Sequence, residues 1–190
     1  NRHSIMNPYN VMGEYNYEND NSYWLNPKWK GVSKIALWGG KPRETFIGSR
    51  KPIGKDSKRK TFYLSDDQEI AASYGKTEKM YLNIKNPFIY DANDSEFNHN
   101  YGLTDAFEEA MILAQKTKKE QTVTRQWAEW KIPANCDGVI ILNTVDPHGG
   151  EVDLNNEEDD EEYDRQIRKL TSTVYIVPNI NQMRKAVSKE

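Results

Sequence analysis

The sequence predicts a compact α+β fold, and three observations carry that prediction. Short runs of β-branched and aromatic residues outnumber the helical patterns. The helical patterns fall between those runs instead of following them as a block. One run, Val139-Ile140-Ile141-Leu142, is too apolar for a strand with one wet face and belongs inside a sheet.

Taken in order, residues 1–30 are rich in Asn and Tyr, lack periodicity, and read as an N-terminal arm. Tyr15, Tyr17, Tyr23, Trp24 and Trp29 either fasten that arm over a core edge or form an aromatic surface toward a substrate. A core over residues 31–186 follows. Residues 32–38 form a strand closed by Gly39-Gly40, a pair that makes a turn or lets a dinucleotide approach the backbone. Residues 41–60 are loop by composition and carry Arg43, Arg50, Lys51, Lys55, Lys58, Arg59 and Lys60. Thr61-Phe62-Tyr63-Leu64 is a strand. Ser65-Asp66-Asp67-Gln68 then has capping-box spacing, with Ser65 as cap, for a helix through Ile70, Ala71 and Tyr74 that stops near Gly75.

Met80-Tyr81-Leu82-Asn83-Ile84 alternates as a strand, and Asn86-Pro87 turns it into Phe88-Ile89-Tyr90. Residues 104–115 form a helix with Ala106, Phe107, Ala110, Met111 and Ala114 on one face, and Trp127 and Trp130 suit a second, shorter one. Asp137-Gly138 leads into the apolar run. Residues 146–163 read as a loop, acidic over residues 151–164 and unbroken from Glu157 to Glu162, which is a solvated insertion or a surface for a basic partner. Thr173-Val174-Tyr175-Ile176-Val177 closes the pattern before Pro178. With no internal repeat and no linker, residues 1–190 make one domain.

Composition narrows the chemistry. A net charge of −3 over 190 residues sets up no field that demands nucleic acid or an anionic membrane. The single cysteine, Cys136, excludes an internal disulfide or a cysteine zinc site, and it reads as a small packed hydrophobe because His3, His99 and His148 offer no adjacent base. No apolar stretch approaches the ~20 residues that span a bilayer. The chain starts at Asn1 without a charged-then-apolar leader, which is expected of a cytoplasmic chain, processed or cut from a longer one. Ser-His-Asp, GxGxxG, Walker and Asp-x-Asp-x-Asp patterns are absent, and no metal is expected.

Four separated pieces carry a family likeness. They are Tyr63 with Ser65 and, eleven residues on, Tyr74; Tyr81-Leu82-Asn83-Ile84-Lys85-Asn86-Pro87-Phe88; Cys136-Asp137-Gly138-Val139-Ile140; and residues 174–183, from Val174-Tyr175-Ile176-Val177 to Asn181-Gln182-Met183. Together they resemble the diphtheria-toxin and PARP branch of ADP-ribosyltransferases, in the form found in polyvalent proteins of phage and mobile elements. The resemblance implies a split β-sheet core with inserted helices, NAD as substrate, and Tyr63 and Tyr74 as two rings that sandwich nicotinamide. Breaking the bond to nicotinamide passes through an oxocarbenium-like state, so a carboxylate must offset positive charge.

The family's first strand reads aromatic-His-Gly-Thr and its closing strand carries that carboxylate as Glu. Here Leu37-Trp38-Gly39-Gly40 puts Trp38 at the His position, and Val174 takes the Glu position. Trp38, Gly39 and Gly40 would then line the adenosine side, Arg43 or Arg50 would touch phosphate, and Ser65 is a cap that doubles as a ligand. Glu44, Glu151 and Asp153 sit in loops able to supply a carboxylate, with Glu151 taken as the candidate. The implied function is a toxin-type mono-ADP-ribosyltransferase acting on a macromolecule, protein or nucleic acid. The alternative is a non-catalytic NAD- or ADP-ribose-binding or structural module, joined to a polyprotein or packaged in a phage particle.

Overall fold

A computed structural model describes residues 13–19, 28–35, 42–54, 61–91, 120–124, 129–133, 136–146 and 160–186. Its strands are β1 (Tyr15–Asn16), β2 (Val32–Ser33), β3 (Thr45–Ser49), β4 (Phe62–Ser65), β5 (Lys76–Leu82), β6 (Pro87–Asp91), β7 (Glu120–Thr124), β8 (Glu129–Pro133), β9 (Gly138–Val145), β10 (Thr171–Val177) and β11 (Met183–Lys185). Among the described residues two α-helices interrupt them, α1 (Gln68–Ala72) and α2 (Asp160–Leu170). The α+β class expected from the strand pattern is the class observed.

Among the described residues seven strands share one mixed sheet in the order β11-β5-β3-β4-β10-β9-β6, antiparallel throughout except for the β6–β9 pair. Every residue of β10 is buried, and β9 has Asn143 as its one partly exposed position, so the two most apolar strands lie inside the sheet. One face of the sheet packs into a core of Ile35, Ile47, Phe62, Leu64, Met80, Leu82, Ile84, Ile140, Leu142, Tyr175, Val177 and Met183. A second cluster seats the N-terminal arm: Tyr17 and Trp29 stack edge-on at 5.1 Å and pack against Tyr81. The Tyr17 hydroxyl donates to Leu82 O and Trp29 Nε1 to Asn181 O at 2.9 Å, so each ring is held by an apolar body and a polar tip. Tyr23 and Trp24 lie outside the described residues.

Several elements differ from the sequence expectation. A strand, β3, runs through the segment read as loop. Cationic neighbours mask the buried Thr45 and Ile47, which alternate with the partly exposed Phe46 and Gly48. The strand expected over residues 32–38 is described only at β2 and stops being described after Ile35. Asp67 caps α1 in place of Ser65: its carboxylate accepts from Glu69 N and Ile70 N, and Ser65 Oγ accepts instead from Asp67 N at 3.0 Å. A carboxylate two residues nearer the helix makes the stronger cap. Trp130 lies in β8, paired with β7, where a helix was expected; Trp127 and residues 104–115 fall outside the described residues. The acidic run enters α2 at Asp160, where side-chain charge complements the helix N-terminus. No helix among the described residues is long and apolar enough to cross a membrane.

Candidate functional site

The sheet is nearly cut in two between β3 and β4. Those strands share one registered pair, Phe46 with Ser65, whereas β3 makes five pairs with β5 and β4 makes four with β10. Beyond Phe46 no registered pair joins residues 47–49 to residues 61–63, and this break between the half-sheets is the candidate cleft.

Alternation along the strands assigns side chains to the two faces. Phe46, Gly48, Tyr63, Ser65, Ser172, Val174 and Thr144 share the face opposite the core, through the pairs Phe46–Ser65, Ser65–Val174 and Ser172–Thr144. Helix α1 crosses this face at Gly48. A Cβ there would come within 1.8 Å of Ala71 O, so glycine is what lets the helix sit on the strand. The same close approach puts Tyr74 Cβ 3.3 Å from that point. Tyr63, from the strand, and Tyr74, from the end of the helix, thus stand on one side of the sheet, beside Gly48.

The Tyr74 hydroxyl donates to Asp146 Oδ2 at 2.5 Å. Asp146 is 6% exposed and follows β9, its N–H donating to Leu170 O at 2.9 Å. Asn143, at φ 51°, makes a bulge opposite β10, and the bend it introduces re-aims the end of β9. Between Asp146 and Val174 lie two hydroxyls, Thr144 Oγ1 and Ser172 Oγ. Both are buried without a hydrogen-bond partner among the described residues. Buried hydroxyls in that state cost stability unless something else completes them.

On the core face, Arg43 Nη1 donates to Asp66 Oδ2 at 2.9 Å, with the two side chains only 12% and 11% exposed. Asp66 Oδ1 also accepts from Thr173 N at 3.0 Å. Burial pushes the Asp66 carboxyl above the usual carboxylate range, against the opposing pull of the Thr173 N–H and of Arg43. The Tyr175 phenol is likewise pushed up by burial, then by the Asp66 charge. The Arg43 guanidinium opposes that rise, and neither the Tyr175 hydroxyl nor Arg43 Nε has a geometric hydrogen-bond partner among the described residues.

Residues 40–190 match a protein family described as ADP-ribosyltransferase in polyvalent proteins (ART-PolyVal). The chain belongs to this family. No curated protein and no solved structure matches it. Of the four pieces that carry the likeness, the first is β4 with α1 and forms the cleft. The other three meet elsewhere on this ADP-ribosyltransferase domain, at the start of β9. There the Asp137 carboxylate accepts from Lys85 N and Asn86 N, both at 2.9 Å. The Gln182 amide donates to Asp137 O at 2.7 Å and to Asn83 O at 3.3 Å. Those motifs fasten the scaffold.

The remaining expected site residues scatter. Arg43 is occupied by Asp66 on the core face, so its guanidinium serves the interior. Arg50 is exposed just past β3, at the mouth of the cleft. Glu44 faces solvent and pairs with Lys79 at 3.3 Å. Trp38, Gly39, Gly40, Glu151 and Asp153 lie outside the described residues. Asp146 escaped the sequence reading because residues 146–163 read as a loop, and nothing local shows that its carboxylate reaches a tyrosine 72 residues away.

Proposed function

We propose that this chain is a mono-ADP-ribosyltransferase that takes ADP-ribose from NAD and transfers it to a macromolecule, protein or nucleic acid. The observation that carries this reading is the placement of Tyr63 and Tyr74 on one face of the sheet, beside Gly48, beyond the one registered pair of β3 with β4. A flat, cationic nicotinamide ring is suited to a slot between two phenols, which bind it through stacking and cation–π attraction. The buried, unpartnered Thr144 and Ser172 hydroxyls fit a polyhydroxylated ligand such as a ribose. Arg50, exposed just past β3, is a cation suited to meet a phosphate by bidentate hydrogen bonds.

A second register is open for the first strand, because β3 presents Phe46-Ile47-Gly48-Ser49 beside β4. We read that tetrapeptide as the aromatic-His-Gly-Thr strand, with Ile47 at the histidine position. Ile47 is 1% exposed and packed in the core, so it offers the adenosine ribose no hydrogen bond.

Ile47 and Val174 together favour a second reading, a domain that binds NAD or ADP-ribose without turnover. Nicotinamide release by the purified chain, with and without cell lysate, separates the two. The transferase reading expects release that a Tyr63→Ala variant reduces at least about a hundredfold. NAD binding with no release under any condition would establish the second.

A further inference from the structure

We propose that Asp146 is the carboxylate this chain sets against the developing positive charge, in place of the glutamate that its closing strand lacks at Val174. The proposal rests on the transferase reading above and assigns that site its acid.

Four observations converge on Asp146. Its carboxylate accepts the Tyr74 hydroxyl at 2.5 Å, which ties an acid directly to one of the two rings beside Gly48. It is 6% exposed, so it acts where water screens little. The bond from its N–H to Leu170 O anchors its backbone where β9 gives way to β10, and the bulge at Asn143 turns that end of the strand. Finally, a row of buried hydroxyls without partners among the described residues, Thr144 and Ser172, runs from Asp146 toward Val174 on the same face. A ribose laid along that row would complete both hydroxyls and place its own 2′-hydroxyl against the acid. Of the other carboxylates near the opening of the sheet, Asp66 is paired with Arg43 on the core face, Glu44 with Lys79 in solvent, and Glu78 with Lys185.

In the step assigned, the C1′–N bond to nicotinamide breaks and its electron pair leaves with nicotinamide, which departs neutral. The Asp146 carboxylate accepts the ribose 2′-hydroxyl hydrogen bond and stabilises the oxocarbenium left at C1′. An acceptor nucleophile or water then bonds to C1′, and its proton passes through Asp146 to solvent.

The test uses the full chain, with NAD as the probe and nicotinamide release as the readout. Asp146→Asn keeps the shape and removes the charge. It is expected to lower kcat at least about a hundredfold while KM stays within about threefold. Tyr74→Phe, which removes only the hydroxyl, is expected to lose about tenfold or less. Formate added to Asp146→Ala is expected to restore release at least about tenfold over that variant alone and to leave Tyr74→Phe unchanged, with circular dichroism confirming that each variant folds. Equal losses in Asp146→Asn and Tyr74→Phe, with none further in the double variant, would mean that Asp146 only holds the ring, and would overturn the proposal. Wild-type release by Asp146→Asn would also overturn it while leaving the transferase reading intact. Absence of release from the wild-type chain would overturn both.

Discussion

The two ends of β9 carry an aspartate each, and they are built in opposite ways. At the first end Asp137 accepts two backbone N–H groups and Gln182 closes over its carbonyl, so each of the bonds there joins one segment of the scaffold to another. At the last end Asp146 holds a tyrosine, and the neighbouring Thr144 and Ser172 hydroxyls are buried without partners among the described residues. A fold gains most from polar groups that are satisfied, and tolerates unsatisfied ones where a ligand will complete them. The contrast separates a knot from a site within one eight-residue strand.

The sharpest way to break that contrast lies close to the cleft, where Arg43 and Asp66 bind β3 to β4 next to their single registered pair. Arg43→Met should destabilise the domain by about 3–5 kcal/mol, because it leaves Asp66 ionised and buried without its cation. The pH dependence has a definite sign. Burial raises the Asp66 pKa in the fold, so the folded protein holds a proton that the unfolded chain has already released. The Asp66 contribution to stability is therefore present below the ordinary carboxylate pKa and lost as pH rises through the raised value. In Arg43→Met the deficit, read by urea titration, should be largest at neutral pH and shrink on acidification. A deficit independent of pH would show that the pair is packing alone.

At the other end of β9, Asp137→Ala should cost about 2 kcal/mol, the worth of two hydrogen bonds to a charged acceptor together with the freed Asn86-Pro87 turn. Nicotinamide release per folded molecule should stay within about twofold of wild type, since the knot touches none of the cleft residues. A variant of wild-type stability but lowered turnover would reverse the assignment of the two ends.

The sequence made the scaffold more legible than the site. Strands β4, β6, β9 and β10 announce themselves through unbroken or alternating apolar residues, and Tyr63 and Tyr74 through their eleven-residue spacing. Strand β3 was hidden because Arg43, Arg50 and Lys51 surround it with charge, and the guanidinium of Arg43 turns inward to Asp66, which composition does not reveal. Ser65 has the right spacing for a cap and lost the role to Asp67, a competition decided by geometry two residues away. Asp146 illustrates the general limit: a contact across 72 residues exists only once the bulge and the sheet have formed. Local pattern encodes which residues are strand, whereas the acid of a site is set by where strand ends arrive.

Tyr175 gives the smallest and most specific effect. It is fully buried on the core face, its hydroxyl beside Arg43 but unpartnered among the described residues, so the phenol oxygen contributes little to the fold. Tyr175→Phe removes that oxygen and should change stability at neutral pH by no more than about 1 kcal/mol, in either direction. Above the ordinary phenol range the two proteins should part. Burial holds the Tyr175 proton in the fold after the unfolded chain has given its own up, so wild-type stability falls as pH rises from about 10 toward the raised value. Phenylalanine has no proton to lose, and the variant should resist alkaline unfolding better than the wild type, as read by circular dichroism across that range. Parallel curves for the two proteins would place the Tyr175 hydroxyl in contact with water.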